Sequence, residues 1–262
     1  MQENNLINTL EEKGYIKLKK VVDKSLIIQI KKKMIAVMRQ YVEVNKNLNL
    51  DQQLDFCFDN ITKQGGQLRS NIYKAISNLL ELYNLASTKN FKNILKKLQF
   101  ISPRQQGTSI FAIEPKIETF LTDIHQDVRN DFIGSYALNF WFPLSSGKNI
   151  GGLAVYESSH KLGPIKHNIS KKTGYITVNR SIIKKFKYKQ ITNYEIGDLV
   201  IFNPMLIHHS IKNNGSKIRW TVAMCIDDVG RTNHLKKNLS PFNKNKYVTS
   251  MRNETLLKKK YS

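Results

Sequence analysis

The chain has 262 residues, 40% hydrophobic and 24% charged, with 13 Gly and 6 Pro. This is the composition of a folded domain and excludes a fibrous, low-complexity or wholly disordered chain. Lys and Arg number 42 against 20 Asp and Glu, a formal net charge of +22, which draws polyanions, acidic membrane faces and anionic substrates but says nothing about fold.

In chain order, Glu12-Lys13-Gly14 reads as a helix end with a Gly stop, followed by a strand over Tyr15 to Leu18. Asp23 can cap a helix whose apolar residues Leu26, Ile30, Met34, Val37, Met38 and Tyr41 recur at three- and four-residue steps. A second periodic segment carries Ile72, Ile76, Leu79, Leu80 and Tyr83, and a third carries Phe91, Ile94, Leu95 and Leu98. Gln64-Gly65-Gly66-Gln67 reads as a loop between helices.

From about Thr108 the texture changes to short β-type runs. These are Thr108 to Ile113, Tyr136 to Leu144, Leu153 to Tyr156, Tyr175 to Val178, Asp198 to Phe202 and Trp220 to Ile226. Such runs, with few helices among them, predict a sandwich or barrel core. The expected layout is a single domain over 1–262: a mostly helical part at 1–105 packed outside, a β core at 106–230, and a basic segment at 231–262. Gly151-Gly152 is expected to be a turn rather than a phosphate loop, because no helix start follows it.

Only eight of the cations are Arg, the residue whose planar fork reads phosphates and bases. In a chain also rich in Asn and Ile, a Lys excess reads first as a solvated surface. Positions 161–190 hold nine Lys and Arg and no acid, and 231–262 hold nine more with only Glu254; both read as loops or tails. Cys57 and Cys225 are far apart and form no CxxC pair, which argues against a thiolate zinc site or a disulfide framework. No signal peptide and no membrane-length apolar run is visible, so a reducing cytoplasmic setting is expected.

Six histidines stand at 125, 160, 167, 208, 209 and 234. His125-Gln126-Asp127 is an H-x-D triplet, which on an extended chain places imidazole and carboxylate on one face. Chance supplies such a triplet in about one sequence of this composition in four or five. With a third ligand the pair makes the two-histidine, one-carboxylate set that suits non-haem iron and leaves positions open. Downstream, Gly197-Asp198 leads into an apolar strand, His208-His209-Ser210 follows, and Arg219-Trp220-Thr221 opens the next run. A guanidinium on a strand next to a metal-ligating His could hold the far carboxylate of a dicarboxylate, with the Thr221 hydroxyl as a further donor.

The stretches FAIEPKIETFLTDIHQD, NFWFPL, GGLAVYESSHKLG and GDLVIFNPMLIHHSIKNNGSKIRW, in this order, together with EEKGYIKLKKVVDKSLIIQIKKKM near the start, resemble the phytanoyl-CoA dioxygenase family of Fe(II)- and 2-oxoglutarate-dependent oxygenases. The resemblance covers most of the chain, less clearly 45–105 and the part after 230. It implies a cupin-like double-stranded β-helix, or jelly roll, and an α+β domain overall. It also implies Fe(II) held by His125, Asp127 and His208, the last because Ser210 fits a His-x-Ser pattern. Arg219, with Thr221, would anchor the C5 carboxylate of 2-oxoglutarate, and Asn139 and Trp141 would line the cosubstrate pocket. Relatives often carry a polar or basic residue where Ala112 stands, so one cosubstrate contact is expected to be missing.

The implied activity is hydroxylation of an unactivated C–H of a small metabolite, anionic or carrier-linked, with O₂ consumed and succinate and CO₂ released. Family members that halogenate lack the carboxylate that Asp127 supplies. Two other readings stand beside it: a basic polyanion- or nucleic-acid-binding protein on a degenerate β scaffold, and a cupin-like metal isomerase without cosubstrate. No Arg-aromatic stripe supports the first, and the second leaves Arg219-Trp220-Thr221 without a role. His209, His160, Gln126, Tyr136 and Phe140 are read as structural, with core packing as the simpler role for Trp141.

Overall fold

The computed structural model describes residues 3–118, 121–127, 137–170 and 175–230. Tyr136, Lys171, Lys172 and the basic segment 231–262 fall outside these.

The chain begins with α1 (Glu3–Lys13), which stops at Gly14 (φ +84°) and turns into β1 (Tyr15–Leu18). Asp23 caps α2 (Lys24–Met38), its carboxylate accepting from the Ser25 amide at 2.8 Å. The helix ends at Met38 rather than carrying on through Tyr41. The amides of Gln40 and Tyr41 bond back three residues, to Val37 and Met38, and the Tyr41 ring is exposed. A helix the apolar periodicity did not show, α3 (Leu50–Gln64), starts at an Asn49/Gln52 capping box. The expected loop over Gln64–Gln67 shrinks to Gly65 (φ +128°), since α4 (Gly66–Ile76) starts at once. The second periodic segment splits between α4 and α5 (Leu80–Leu85), so Leu80 and Tyr83 point outward and Leu82 and Leu85 are buried in their place. In α6 (Lys89–Lys97) the expected apolar residues Phe91, Ile94 and Leu95 are all buried.

The strands follow as β2 (Pro103–Ile113), β3 (Ala137–Pro143), β4 (Gly152–Tyr156), β5 (His167–Ile169), β6 (Ile176–Val178), β7 (Tyr188–Ile191), β8 (Leu199–Phe202), β9 (His208–Ile211) and β10 (Arg219–Asp228), with a short α7 (Arg180–Ile183) before β7. A five-stranded sheet runs β1-β8-β3-β10-β2 and a three-stranded sheet runs β7-β4-β9, while β5 and β6 pair separately. The basic stretch 161–190 is therefore more than loop: β5, β6, α7 and most of β7 lie in it, and among its described lysines all but Lys189 stand outside these elements.

Alternation on the large sheet divides its side chains between two cores. Ile110, Ala112, Phe140, Phe142, Trp220 and Val222 face the helices and pack with Met34, Phe58 and Ile76. Trp141, Val200 and Phe202 face the small sheet and pack with Leu153, Val155, Ile191 and Tyr194. The fold is thus a cupin-like double-stranded β-helix with helices against its outer face. Cys57 and Cys225 are both buried and are not joined in a disulfide. Among the described residues no helix is long and apolar enough to cross a membrane.

One side chain ties the helical layer to the start of β10. The Asp55 carboxylate on α3 accepts from the Ile218 amide at 2.9 Å and from the Trp220 indole N–H at 2.8 Å, bracketing Arg219. Burial pushes its pKa up from 3.8 to about 6, against the lowering effect of those two hydrogen bonds and with help from Asp59 and Asp51. The native state therefore keeps this proton where the unfolded chain has released it. Stability from this group falls as pH rises through roughly 4 to 6 and is level above. Asp55→Asn removes that dependence. The stability of the variant relative to wild type is expected to improve across the same window, as read by chemical denaturation at about pH 4, 5, 6 and 7.

Candidate metal centre

His125 does not lie in a strand. It forms a single antiparallel bridge to His208, the first residue of β9, with N···O distances of 3.0 and 2.9 Å. The amide of Asp127 is held by the Pro204 carbonyl at 2.8 Å. This pairing faces the two imidazoles toward each other, with ring centroids 4.3 Å apart. Asp127 closes the set: its Oδ1 is 3.2 Å from His125 Nε2 and its Oδ2 is 3.5 Å from His208 Nε2. One donor atom from each of the three residues lies within 4.8 Å of the others.

The tautomers follow from the backbone. His125 Nδ1 is 2.6 Å from the Asp123 carbonyl and His208 Nδ1 is 2.9 Å from the Leu206 carbonyl. A carbonyl only accepts, so each ring carries its proton on Nδ1 and aims an Nε2 lone pair at Asp127. With both rings neutral, two lone pairs and a carboxylate converge and repel, and a cation among them, either a metal ion or the proton that Asp127 favours on His125, relieves this. Second-partner carbonyls of this kind are how ligating histidines are held. Burial drives His208 down to about 4, partly offset by Asp127, so it is neutral and free to ligate at pH 7. For His125 burial also acts downward, but the hydrogen bond and charge of Asp127 outweigh it and the net direction is up. Asn139 on β3 orients the carboxylate, donating from Nδ2 to Asp127 Oδ2 at 2.7 Å.

Arg219 lies on the other wall of the same interior. β9 and β10 belong to different sheets rather than being neighbours, and the guanidinium reaches across, donating from Nη1 to the Ile211 carbonyl at 2.5 Å. It is 2% exposed, and among the described residues it has no carboxylate partner. Its buried Nε–H has no acceptor. Burial lowers its pKa to about 10, so it remains a cation at neutral pH. A buried cation without a counter-ion suits an anionic ligand. Thr221 shares its face of β10.

Four other residues singled out in the sequence lie around this site or away from it. His209 faces away from the interior and stacks on Tyr188, with 16° between the rings. His160 sits in a single helical turn with Nε2 3.1 Å from the Glu11 carbonyl. Trp141 packs edge-on to Tyr194 within the core. Ala112 pairs with Trp220 and points under the helices, so the residues of β2 that face Arg219 and Thr221 are Ile113 and Phe111.

Three roles escaped the sequence reading. His167 accepts from the Gln126 amide at 2.9 Å. Ser210 exchanges hydrogen bonds with Thr122, three residues before His125, at 3.0 and 3.1 Å; the His-x-Ser spacing was the available signal. Gly151 (φ +78°) presses against Arg219, where a Cβ would collide with Nη1 and with the Ile211 and Lys212 carbonyls. The double glycine that reads as a plain turn makes room for the guanidinium.

Residues 10–221 match the family model of phytanoyl-CoA dioxygenase (PhyH). The chain belongs to the phytanoyl-CoA dioxygenase family. It is a 2-oxoglutarate-dependent non-haem iron enzyme, with Fe(II) as cofactor and 2-oxoglutarate as cosubstrate, and both the convergent donor set and the unpaired guanidinium fit that pair. A curated relative, 1-deoxypentalenic acid 11-beta-hydroxylase of Streptomyces exfoliatus, is 25% identical over 217 residues, covering 78% of this chain and 72% of its own. Two solved structures share the fold. The epimerase SnoN, in complex with Fe3+, alpha ketoglutarate and nogalamycin RO, has a TM-score of 0.59 at 14% identity, over 86% of this chain and 83% of that one. The alpha ketoglutarate dependent carbocyclase SnoK from nogalamycin biosynthesis has a TM-score of 0.53 at 16% identity, over 92% and 93%.

Gln126, between the two first ligands of the triplet, points away from them and is fully buried. Its Nε2 donates to the carbonyls of Gly163 (2.9 Å) and Met205 (2.6 Å), and its Oε1 accepts from the Ile165 amide (3.0 Å). Gln126→Ala orphans all three backbone groups. It is expected to lower unfolding free energy by about 3 kcal/mol and Fe(II) affinity about tenfold or more, read by denaturation and metal titration, although Gln126 touches no metal.

Proposed function

We propose that this enzyme hydroxylates an unactivated C–H bond of a small metabolite, anionic or carrier-linked. His125, Asp127 and His208 hold Fe(II), and Arg219 with Thr221 anchors the C5 carboxylate of 2-oxoglutarate. The observation that carries this reading is the pairing, inside one β core, of convergent ligand lone pairs with a buried guanidinium that lacks an anion. Bound Fe(II) and 2-oxoglutarate supply the oxidising chemistry, in which O₂ is consumed, succinate and CO₂ leave and an oxygen atom reaches the substrate.

The chain's own residues supply position. Asn139 holds the Asp127 carboxylate by donating to its Oδ2, and the Asp123 and Leu206 carbonyls accept from each ring's Nδ1–H, which leaves Nε2 as the ligating nitrogen of the neutral ring. The Ile150 and Ile211 carbonyls aim the guanidinium inward. Trp141 acts by packing. Hydroxylation is favoured by Asp127, which fills the position that halogenating family members leave open, and by the hydroxylase activity named for the curated relative.

The basic insertion favours an anionic substrate. Its Val178 amide donates to the Ile124 carbonyl at 2.8 Å, and His167, Gly163 and Ile165 all bond Gln126. The described lysines of 161–190 are thus carried on a stretch that is bonded to the back of the His125–Asp127 segment. Exposed positive charge there raises the local concentration of an anion.

Anaerobic addition of Fe(II) and 2-oxoglutarate is expected to give the metal-to-ligand charge-transfer band of the chelate. His208→Ala and Asp127→Ala lose it, and His209→Ala keeps it. Arg219→Ala weakens 2-oxoglutarate binding about a hundredfold, the effect of some 3 kcal/mol expected when a buried charge loses its partner. No band, or unchanged affinity in Arg219→Ala, refutes the assignment. Product mass separates the reaction types: a gained oxygen for hydroxylation, no change for epimerisation, loss of a hydrogen pair for cyclisation.

Once a substrate is found by succinate release, Lys184→Gln, Lys185→Gln and Lys189→Gln together are expected to raise KM about two- to fivefold and leave kcat unchanged, with the wild-type KM rising with salt. A KM indifferent to both removes the anionic class.

A further inference from the structure

Tyr194 is a buried polar group with no role in the chemistry above. It lies between β7 and the Gly197-Asp198 turn, and its ring is packed between the two sheets, 5.2 Å from Trp141 at an interplanar angle of 83°. Its hydroxyl is buried and has no hydrogen-bond partner, which native structures seldom leave without a reason. The Nε of Arg219 is in the same condition. The two meet at Ile150, whose carbonyl accepts from Arg219 Nη1 at 3.3 Å and whose side chain belongs to the same packed cluster as Tyr194. Burial lifts the Tyr194 phenol to about 12 while the guanidinium pulls the other way, so Tyr194 is a neutral O–H at pH 7.

We propose that the Tyr194 hydroxyl donates to the C5 carboxylate of 2-oxoglutarate, completing with Arg219 a two-walled cradle for that group. The inference rests on the reading of Arg219 given above. Two buried donors without acceptors call for a ligand that only accepts, and a carboxylate does so through two oxygens. The strand beside Arg219 and Thr221 offers no donor of its own, since the facing side chains are Ile113 and Phe111. A neutral phenol adds a hydrogen bond without burying a second charge, and Trp141 fixes its ring. Tyr194 is thus a specificity residue for the length of the cosubstrate: it rewards a carboxylate at C5 and is indifferent to the 2-oxo acid end.

The test is Tyr194→Phe, which removes only the hydroxyl. Calorimetry on protein loaded with redox-inert Zn(II) would measure binding of 2-oxoglutarate and of 2-oxovalerate, which keeps the 2-oxo acid but lacks the second carboxylate. The variant is expected to bind 2-oxoglutarate about tenfold more weakly, the usual loss for a hydrogen bond to a charged group, and 2-oxovalerate equally well. Because the hydroxyl is unsatisfied before ligand arrives, the Tm of the ligand-free variant is expected to rise by about 2–4 °C; a hydroxyl serving structure alone would lower it. Unchanged 2-oxoglutarate affinity in Tyr194→Phe, or a lower Tm without ligand, overturns the proposal while Arg219→Ala still loses binding. If neither variant loses binding, the reading of Arg219 fails as well.

Discussion

The site depends on one backbone pairing, the antiparallel bridge between His125 and His208. Two segments more than eighty residues apart in sequence meet there through a pair of amide-carbonyl bonds and nothing that amounts to a strand. The bridge alone sets the distance between the imidazoles, so its surroundings reinforce it. Asp127 is pinned to Pro204, Gln126 to Gly163, Met205 and Ile165, and Thr122 to Ser210. Every bond in this set acts on backbone or on a neighbouring side chain, and none on the Nε2 and carboxylate oxygen atoms that converge. The coordinating atoms are left pointing at one another, an arrangement unfavourable by itself and tolerable only because the framework over-determines it.

Arg219 shows the same division of labour on the opposite wall. A guanidinium buried without an anion is costly, and three separate parts of the chain accommodate it. Carbonyls at Ile150 and Ile211 accept from it, Gly151 vacates the space it needs, and Asp55 holds the strand on both sides of it. Asp55 belongs to α3, on the far side of the large sheet. The helical layer is therefore more than a cover for apolar strands, since it carries one end of the linkage that positions the Arg219 guanidinium.

The net charge of +22 takes a narrower meaning in this setting. Apart from Arg219, none of the residues proposed for the metal and cosubstrate sites belongs to the excess. Lys161, Lys166, Lys184, Lys185, Lys187 and Lys189 are exposed in the stretch that carries β5, β6 and α7, and other residues of that stretch bond the H-x-D segment. Charge faces solvent, hydrogen bonds face the site, and the two functions share one piece of chain.

Much of this was legible in the sequence because the relevant rules are local. Alternation marks β3 and β10, the Asp23 cap marks α2, and the H-x-D, His-x-Ser and Arg-Trp-Thr patterns mark the chemistry in register with a family. α3 was not, since its apolar residues Leu54, Cys57, Phe58 and Ile61 are diluted by polar ones and its start signal, Asn49 with Gln52, is easily passed over. Ala112 was misplaced with the cosubstrate because which face of β2 turns inward depends on its register with β10, a property of two strands together. Tyr194, Gly151 and Asp55 carry no motif at all; their meaning is a matter of what lies beside them in space. The sequence by itself determined which residue types were available for iron and 2-oxoglutarate chemistry and the order in which they occur. Only the tertiary structure decided which lone pairs converge and which buried donors stay unpaired, because burial and hydrogen-bond satisfaction depend on the three-dimensional neighbours of an atom, and those come from segments far apart in the chain.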